Sequence, residues 1–144
     1  MTTKLAVVAG GGGFIGGHMV ASLRSQGFRT RSVDIKPSCD WFQMFPDTHN
    51  IVADLKERAS CERAVEGADV VYQLAADAGG MGFIENNKAR CMLSVLTNTH
   101  MLMAAASAGV GRYFYASSAC VYNEDKQRDE NVIPLREEDA YPAM

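Results

Sequence analysis

The chain has 144 residues, of which 47% are hydrophobic and 22% charged, and its 14 basic and 17 acidic side chains give a net charge of −3. This composition is typical of one globular domain, long enough to bury a core without disulfides or a structural metal. Because no apolar stretch approaches the ~18 residues of a membrane span, no cleavage-like site follows the N-terminus and no block of Lys or Arg occurs, we expect a cytoplasmic protein that binds neither membranes nor nucleic acid.

The chain opens with a pattern that predicts a strand, a glycine turn and a helix. Leu5–Ala9 is an apolar run, and four consecutive glycines, Gly10 to Gly13, follow it directly. Apolar residues recur at helical spacing over Phe14–Gln26, and Gly27 stands where a left-handed helix cap is needed.

The remainder alternates strands with helix-length segments. Crossover connections of this length indicate a parallel sheet, so we predict an α/β fold, a doubly wound sheet with strand order 3-2-1-4-5 and a ligand site at the carboxyl ends of its strands. The predicted strands are Arg29–Ile35, Asn50–Ala53, Asp69–Ala76 and Arg112–Ala116; the helices are Lys56–Glu66 and a long one from about Ile84 to Ala108; Asn123–Glu138 is a polar loop.

Gly10, Gly13 and Gly16 form a G-x-x-G-x-x-G pattern between the first strand and the first helix. The first glycine permits a tight turn, the second lets the backbone approach a pyrophosphate, and the third lets helix and strand pack closely. The N-terminus of the helix also offers free N–H groups to phosphate. A glycine turn alone is weak evidence, because such turns also join strands and helices for structural reasons.

Asp34 strengthens the prediction of a dinucleotide site. It lies 24 positions after Gly10, at the end of the second predicted strand, where a carboxylate accepts hydrogen bonds from the adenosine ribose and repels a 2′-phosphate. This favours NAD over NADP, although Arg31 and Lys36 lie nearby and weaken the preference. Asp54, after the third strand, is a candidate partner for the adenine edge and a candidate N-cap of the helix from Lys56, and the two roles are compatible.

The cysteines and histidines give no sign of a metal site. The four cysteines include no C-x-x-C pair, and the three histidines are scattered. We therefore expect neither a zinc site nor a disulfide framework.

Taken in order, several motifs resemble the extended short-chain dehydrogenase/reductase superfamily and, within it, the NAD-dependent epimerase/dehydratase family. They are GGGGFIGG at Gly10–Gly17, Asp34, Asp54 with Leu55, QLAA at Gln73–Ala76, and YASSACVY at Tyr115–Tyr122. The resemblance implies a Rossmann-type NAD-binding domain. The cofactor-binding positions that it implies are Gly10, Gly13, Phe14, Ile15, Gly16, Asp34, Asp54, Leu55 and Ala75.

A narrower resemblance points to one group in this family, the GDP-mannose 3,5-epimerases. It is carried by AADAGGMGFI at Ala75–Ile84, RYFYASSACVY at Arg112–Tyr122 and LREEDAYPA at Leu135–Ala143. It implies a nucleotide-sugar substrate, a GDP-hexose, which is oxidised transiently at C4, epimerised at C3 and C5, and reduced again. The loop that approaches the sugar would contain Gly79, Gly80 and Met81.

Two side chains near the fifth strand take catalytic roles on this resemblance. Ser118 would hydrogen-bond the hydroxyl that is oxidised, and Cys120 would exchange a proton with the ring. A thiol, whose reference pKa is about 8.5, suits that exchange. From the residues alone, the favoured interpretation of Cys120 is a small buried hydrophobe at a strand end.

The family's catalytic Tyr, followed four positions later by Lys, is expected less than about ten positions beyond Met144. We therefore expect residues 1–144 to form a single, incomplete NAD-binding domain that is inactive alone. The alternative is a non-catalytic NAD-binding module. The strand Arg112–Ala116 would be an open sheet edge and the long helix has surplus apolar residues, so we also expect a homo-oligomer, most simply a dimer.

Overall fold

The computed structural model describes residues 3–77, 81–118, 121–122 and 134–140. In this part of the chain five strands form one sheet in the order β3-β2-β1-β4-β5, and every adjacent pair is parallel. The predicted doubly wound α/β topology is therefore confirmed. The strands are β1 (Leu5–Ala9), β2 (Arg29–Asp34), β3 (His49–Val52), β4 (Val70–Gln73) and β5 (Arg112–Tyr115).

Helices connect the strands, and glycines end three of them. Gly27, Gly67 and Gly109 have φ values of +85°, +67° and +70°, the left-handed conformation that stops a helix and that glycine adopts without strain. These residues follow α1, α2 and α4. The helices are α1 (Phe14–Ser25), α2 (Arg58–Val65), α3 (Met81–Asn86) and α4 (Lys88–Ser107), with short 3₁₀ turns at Ser38–Asp40 and Glu137–Ala140.

The single long helix predicted from Ile84 to Ala108 is wrong, because the segment is divided at Asn87. The Asn86 side-chain amide donates to the Gly82 carbonyl at 2.7 Å, and that of Asn87 donates to Phe83 at 2.9 Å. Asn87 itself leaves the helical region, with φ −129° and ψ 35°. Asparagine side chains that compete for backbone groups in this way favour helix ends over helix interiors.

Other helix and strand boundaries differ from the predicted ones by one to three residues. The β4 strand ends at Gln73 rather than Ala76, because the chain then turns past Gly10. The α2 helix begins at Arg58 rather than Lys56, since Asp54 first closes a turn. Of the predicted polar loop, residues 123–133 lie outside the described residues, and its end enters the second 3₁₀ turn.

The core lies on both faces of the sheet. Alternate residues of β1 point in opposite directions: Val7 and Ala9 pack with residues of α2 and α4, whereas Ala6 and Val8 pack with residues of α1. All five strands thus end at one carboxyl edge, where the connecting loops meet. Among the described residues, no helix is both long and apolar enough to cross a membrane.

We expect the stability of the core to fall at alkaline pH because of the buried Cys61 and the half-buried Tyr113. Burial raises the pKa of the Cys61 thiol to about 11 and that of the Tyr113 phenol to about 12. Since the unfolded thiol ionises near pH 9, the stabilisation is complete below that pH and is lost as the pH rises towards 11. We expect ionisation of the Cys61 thiol to lower the free energy of unfolding by about 2 kcal/mol across this window.

Urea unfolding at pH 8 to 11 measures this dependence. We expect Cys61→Ala to flatten the alkaline slope, whereas Cys39→Ala, at an exposed cysteine, leaves it unchanged. An equal slope in both variants would remove Cys61 as the cause.

Candidate functional site: a dinucleotide-type cavity at the carboxyl edge

The glycine turn after β1 is held in a form that side chains would prevent. Gly10 has φ +81°, and a Cβ added to it would lie 2.9 Å from the backbone nitrogen of Ala75, so the end of β4 passes directly beside it. A Cβ on Gly16 would overlap the Gly10 carbonyl oxygen, which is backbone and cannot move away alone. These two contacts explain the first and third glycines of the pattern.

The N-terminus of α1 is open at the same turn. Gly13 is its N-cap, with φ −81° and ψ 172°, and no side chain caps the helix or places an acid in its first turn. The first-turn N–H groups of a helix have no intrahelical partner. Phe14 and Ile15 are 64% and 68% exposed and lie outside the cavity lining, so any role of these residues in binding would fall to their backbone N–H groups.

Asp34 is anchored at the end of β2. Its Oδ2 accepts a hydrogen bond from the Gly12 N–H at 3.0 Å, and its Oδ1 accepts one from the Lys36 N–H at 3.0 Å. The residue is only 8% exposed. Each carboxylate oxygen retains a second acceptor position, and Asp34 lines the cavity described below, as a ribose-binding acid must.

The two basic residues near Asp34 both donate hydrogen bonds to backbone carbonyls. Arg31 donates to the carbonyls of Ala64 and Glu66, each at 2.8 Å, at the far end of α2. Lys36 Nζ donates to the Gly12 carbonyl at 2.9 Å. The arrangement removes Arg31 from consideration as a phosphate ligand and leaves Lys36 engaged with the turn, which supports the preference for NAD.

One cavity of about 420 Å³ joins these elements, a size typical of small-molecule sites. It lies along the carboxyl ends of β1, β2 and β4 and is closed on one side by α4. Its lining comprises Gly10, Gly13, Asp34, Ile35, Lys36, Ala53, Asp54, Leu55, Lys56, Leu74, Ala75, Ala76, Asp77, Arg90, Leu93, Ser94 and Thr97.

Asp54, Leu55 and Ala75, three of the predicted cofactor-binding residues, line this cavity. Asp54 is not the N-cap of α2, because Glu57 holds that position. Instead, Asp54 Oδ1 accepts from the Lys56 N–H at 2.9 Å and Oδ2 pairs with Lys56 Nζ at 3.1 Å. Asp54 therefore closes a turn that precedes α2 and still presents its carboxylate to the cavity.

The wall formed by α4 was missed by the sequence reasoning. Arg90, Ser94 and Thr97 share one helical face that turns toward the cavity. The Ser94 hydroxyl accepts from the Asp77 N–H at 3.0 Å and Arg90 pairs with the Asp77 carboxylate at 3.4 Å. The sequence signal that could have revealed this wall is the recurrence of polar residues at this spacing in an otherwise apolar helix.

The predicted catalytic and sugar-loop residues are placed only in part. Ser118 lies three residues beyond β5, is exposed, and is not among the residues lining the cavity. Met81 is the first residue of α3. Cys120, Gly79 and Gly80 lie outside the described residues, so their roles stay predictions.

A parallel doubly wound sheet, a glycine turn at an open helix N-terminus and a buried acid at the end of β2 define a dinucleotide-binding protein of the Rossmann type. The family model described as "NAD dependent epimerase/dehydratase family" matches residues 6–144. The chain belongs to this family. NAD, the predicted cofactor, is the cofactor that the family description states.

Among curated proteins, the chain is 40% identical over 138 residues to a GDP-mannose 3,5-epimerase of Arabidopsis thaliana. It is 43% identical over 138 residues to GDP-mannose 3,5-epimerase 1 of Oryza sativa subsp. japonica. Each match covers 94% of this chain but 36% of the relative, so the chain spans about a third of these proteins.

Solved structures give the same fold. A short-chain dehydrogenase/reductase superfamily protein from Agrobacterium tumefaciens, solved with bound NAD, matches with TM-score 0.73 and 27% identity over 94% of this chain and 38% of that one. The UDP-N-acetylglucosamine 4-epimerase from Methanobrevibacter ruminantium, solved with UDP-N-acetylmuramic acid, matches with TM-score 0.75 and 25% identity over 96% and 44% of the two chains.

Proposed function

We propose that this chain is the NAD-binding part of a nucleotide-sugar epimerase similar to the GDP-mannose 3,5-epimerases. The observation that carries the proposal is the convergence of the Asp34 carboxylate, the glycine turn and the end of β4 on one cavity. Asp34 would hold the adenosine ribose, the N-terminus of α1 the pyrophosphate, and Asp54 and Leu55 the adenine side. The small side chains of Ala75 and Ala76 leave room for the cofactor beside β4.

The substrate on this proposal is a GDP-hexose. When bound, NAD would accept a hydride from C4 and return it after epimerisation, while the C4 hydroxyl proton would pass to a base and back. The transient C4 ketone would acidify the hydrogens at C3 and C5, so that a proton could leave one face and return on the other.

Residues that follow β4 and β5 in sequence would take the remaining roles. Ser118 would hydrogen-bond the C4 hydroxyl and Cys120 would exchange a proton with the ring, while Gly79, Gly80 and Met81 would approach the sugar. Support for these assignments comes from the order of the motifs along the chain and from the similarity to GDP-mannose 3,5-epimerases.

Titration calorimetry with NAD, and with NADP as the comparison ligand, tests the proposal. We expect saturable binding of NAD and at least ~10-fold weaker binding of NADP, because the buried Asp34 carboxylate would face the 2′-phosphate. Absence of NAD binding to the folded chain would overturn the proposal. NAD binding by a full-length protein with no turnover of a GDP-hexose would favour the alternative, a non-catalytic NAD-binding module.

The dimer belongs to the same proposal. An apolar patch on α4 comprises residues that are 44–69% exposed, and β5 is the sheet edge of the described residues, with Phe114 and Tyr115 about half exposed. Exposed apolar surface beside an open edge favours association. The members of the α4 patch are Met92, Val95, Leu96, Leu102 and Met103.

We expect the chain to self-associate at tens of micromolar, measured as mass by light scattering. Val95→Glu in the α4 patch should shift the mass toward the monomer by at least ~10-fold in dissociation constant, since it would bury an unpaired charge. Ala59→Glu, at an exposed position of α2, is the matched control. A monomer in the unmodified chain would count against the dimer.

A further inference from the structure

A short strap, residues 36–42, contacts the glycine turn at a single residue, Gly12. Both the Lys36 ammonium and the Phe42 N–H donate to the Gly12 carbonyl, at 2.9 and 3.0 Å. The Trp41 ring lies against the Gly12 Cα, and a Cβ added there would be 2.8 Å from ring atoms. The strap therefore holds both the carbonyl and the α-carbon of Gly12.

The strap is itself tied to the cofactor-binding acid. Trp41 Nε1 donates to the Lys36 carbonyl at 2.9 Å, and the Lys36 N–H donates to Asp34 Oδ1. The Gly12 N–H in turn donates to Asp34 Oδ2. Trp41 is 8% exposed. Asp34, the strap and Gly12 are thus linked in a closed ring of hydrogen bonds. Gly12 takes part in this ring through its backbone alone.

Four consecutive glycines need such external support. Glycine populates more backbone conformations than any other residue and loses more entropy when it is ordered. Gly10 to Gly13 supply no side chains for packing, so the direction of their N–H groups depends on contacts from other segments. The strap provides three such contacts, all at the centre of the turn.

We propose that the strap is a positioning element for the cofactor pyrophosphate, with Trp41 as its central residue. Trp41 acts through Gly12, because neither Trp41 nor Phe42 lines the cavity, whereas Lys36 of the strap does. The four N–H groups of the glycine turn donate to protein oxygens. By fixing the Gly12 peptide, the strap holds the turn that leads into α1 and so keeps the N–H groups of the first helical turn directed at a phosphate. The inference rests on the proposed NAD-binding function and adds residues that the glycine pattern does not include.

Trp41→Leu removes both the flat ring and the indole N–H, and Trp41→Phe removes the N–H but retains a ring. The loss of one hydrogen bond and of the ring contact predicts about tenfold weaker NAD binding for Trp41→Leu and about threefold for Trp41→Phe. The affinity for ADP-ribose should fall by the same factors as the affinity for NAD. Adenosine, titrated by NMR at millimolar concentration, should lose less affinity than ADP-ribose in both variants, because it lacks the pyrophosphate and Trp41 reaches Asp34 only through Lys36.

Phe45→Leu is the matched control, since Phe45 lies in the same connection but packs against the α1 side of the core. It should lower the melting temperature without changing NAD affinity. Unchanged NAD affinity in both Trp41 variants, or an equal loss for adenosine and ADP-ribose, would overturn the strap's role while leaving NAD binding intact. Failure of the unmodified chain to bind NAD would instead overturn the proposed function, and the strap's role with it.

Discussion

Gly13→Asp will abolish NAD binding and leave the fold intact. Gly13 is the N-cap of α1 at φ −81°, a conformation open to any residue, and its Cβ direction meets only the Gly10 carbonyl at 3.2 Å. Aspartate is also a favoured N-cap. The new carboxylate would, however, stand where the pyrophosphate is expected, and like charges at ~4 Å repel by roughly 4 kcal/mol near a protein surface. We expect at least ~100-fold weaker binding.

Calorimetry measures the affinity, and thermal unfolding shows that the variant is folded. Gly13→Asn is the matched control, because it has the same shape and capping capacity without the charge. We expect Gly13→Asn to bind NAD more tightly than Gly13→Asp, because its side chain adds bulk without charge. Binding of both variants as tight as that of the unmodified chain would mean that the helix N-terminus does not receive a phosphate.

Asp34→Asn will lower both stability and NAD affinity, and it will move the cofactor preference toward NADP. The carboxylate accepts two backbone N–H groups, and an amide can accept only one of them without turning its own N–H₂ toward the other. One buried N–H left without an acceptor costs about 1–3 kcal/mol. Loss of the negative charge also removes the repulsion of a 2′-phosphate.

We expect NAD to bind at least ~10-fold more weakly to Asp34→Asn, and the ratio of NADP to NAD affinity to rise by at least ~10-fold. Titrations with both cofactors give the ratio, and urea unfolding gives the stability. Glu62→Gln, which neutralises an exposed acid paired with Arg58 on α2, should change neither by more than about 0.5 kcal/mol. An unchanged cofactor ratio in Asp34→Asn would remove Asp34 from the ribose site.

The elements predicted best from sequence are those with a strong local signal. The β1 strand was predicted at both of its ends, because a five-residue apolar run stops abruptly at glycine. The C-terminal ends of α1 and α2 were predicted to within one residue, since Gly27 and Gly67 take left-handed conformations that interrupt helical hydrogen bonding. The lengths of the connections predicted parallel strands, and the strand order followed from the doubly wound arrangement that such crossovers indicate.

Weak local signals gave the errors in the fold. The break at Asn87 depends on whether two asparagine side chains bond to backbone carbonyls one turn earlier, which an apolar repeat does not reveal. Asp54 fits both an N-cap and a turn, and the observed start of α2 at Arg58 decides for the turn. Both choices depend on side-chain hydrogen bonds that compete with the helix for backbone groups.

The sequence by itself determined the sheet, the glycine turn and the position of Asp34, because each is encoded by residues close together in the chain. Only the tertiary structure decided that Lys36 is occupied by the Gly12 carbonyl, that Trp41 packs on the turn, and that Ser94 on α4 faces the same cavity. These contacts join residues 17 or more positions apart. They arise from how loops and helices pack on a finished sheet, and no local periodicity records that packing.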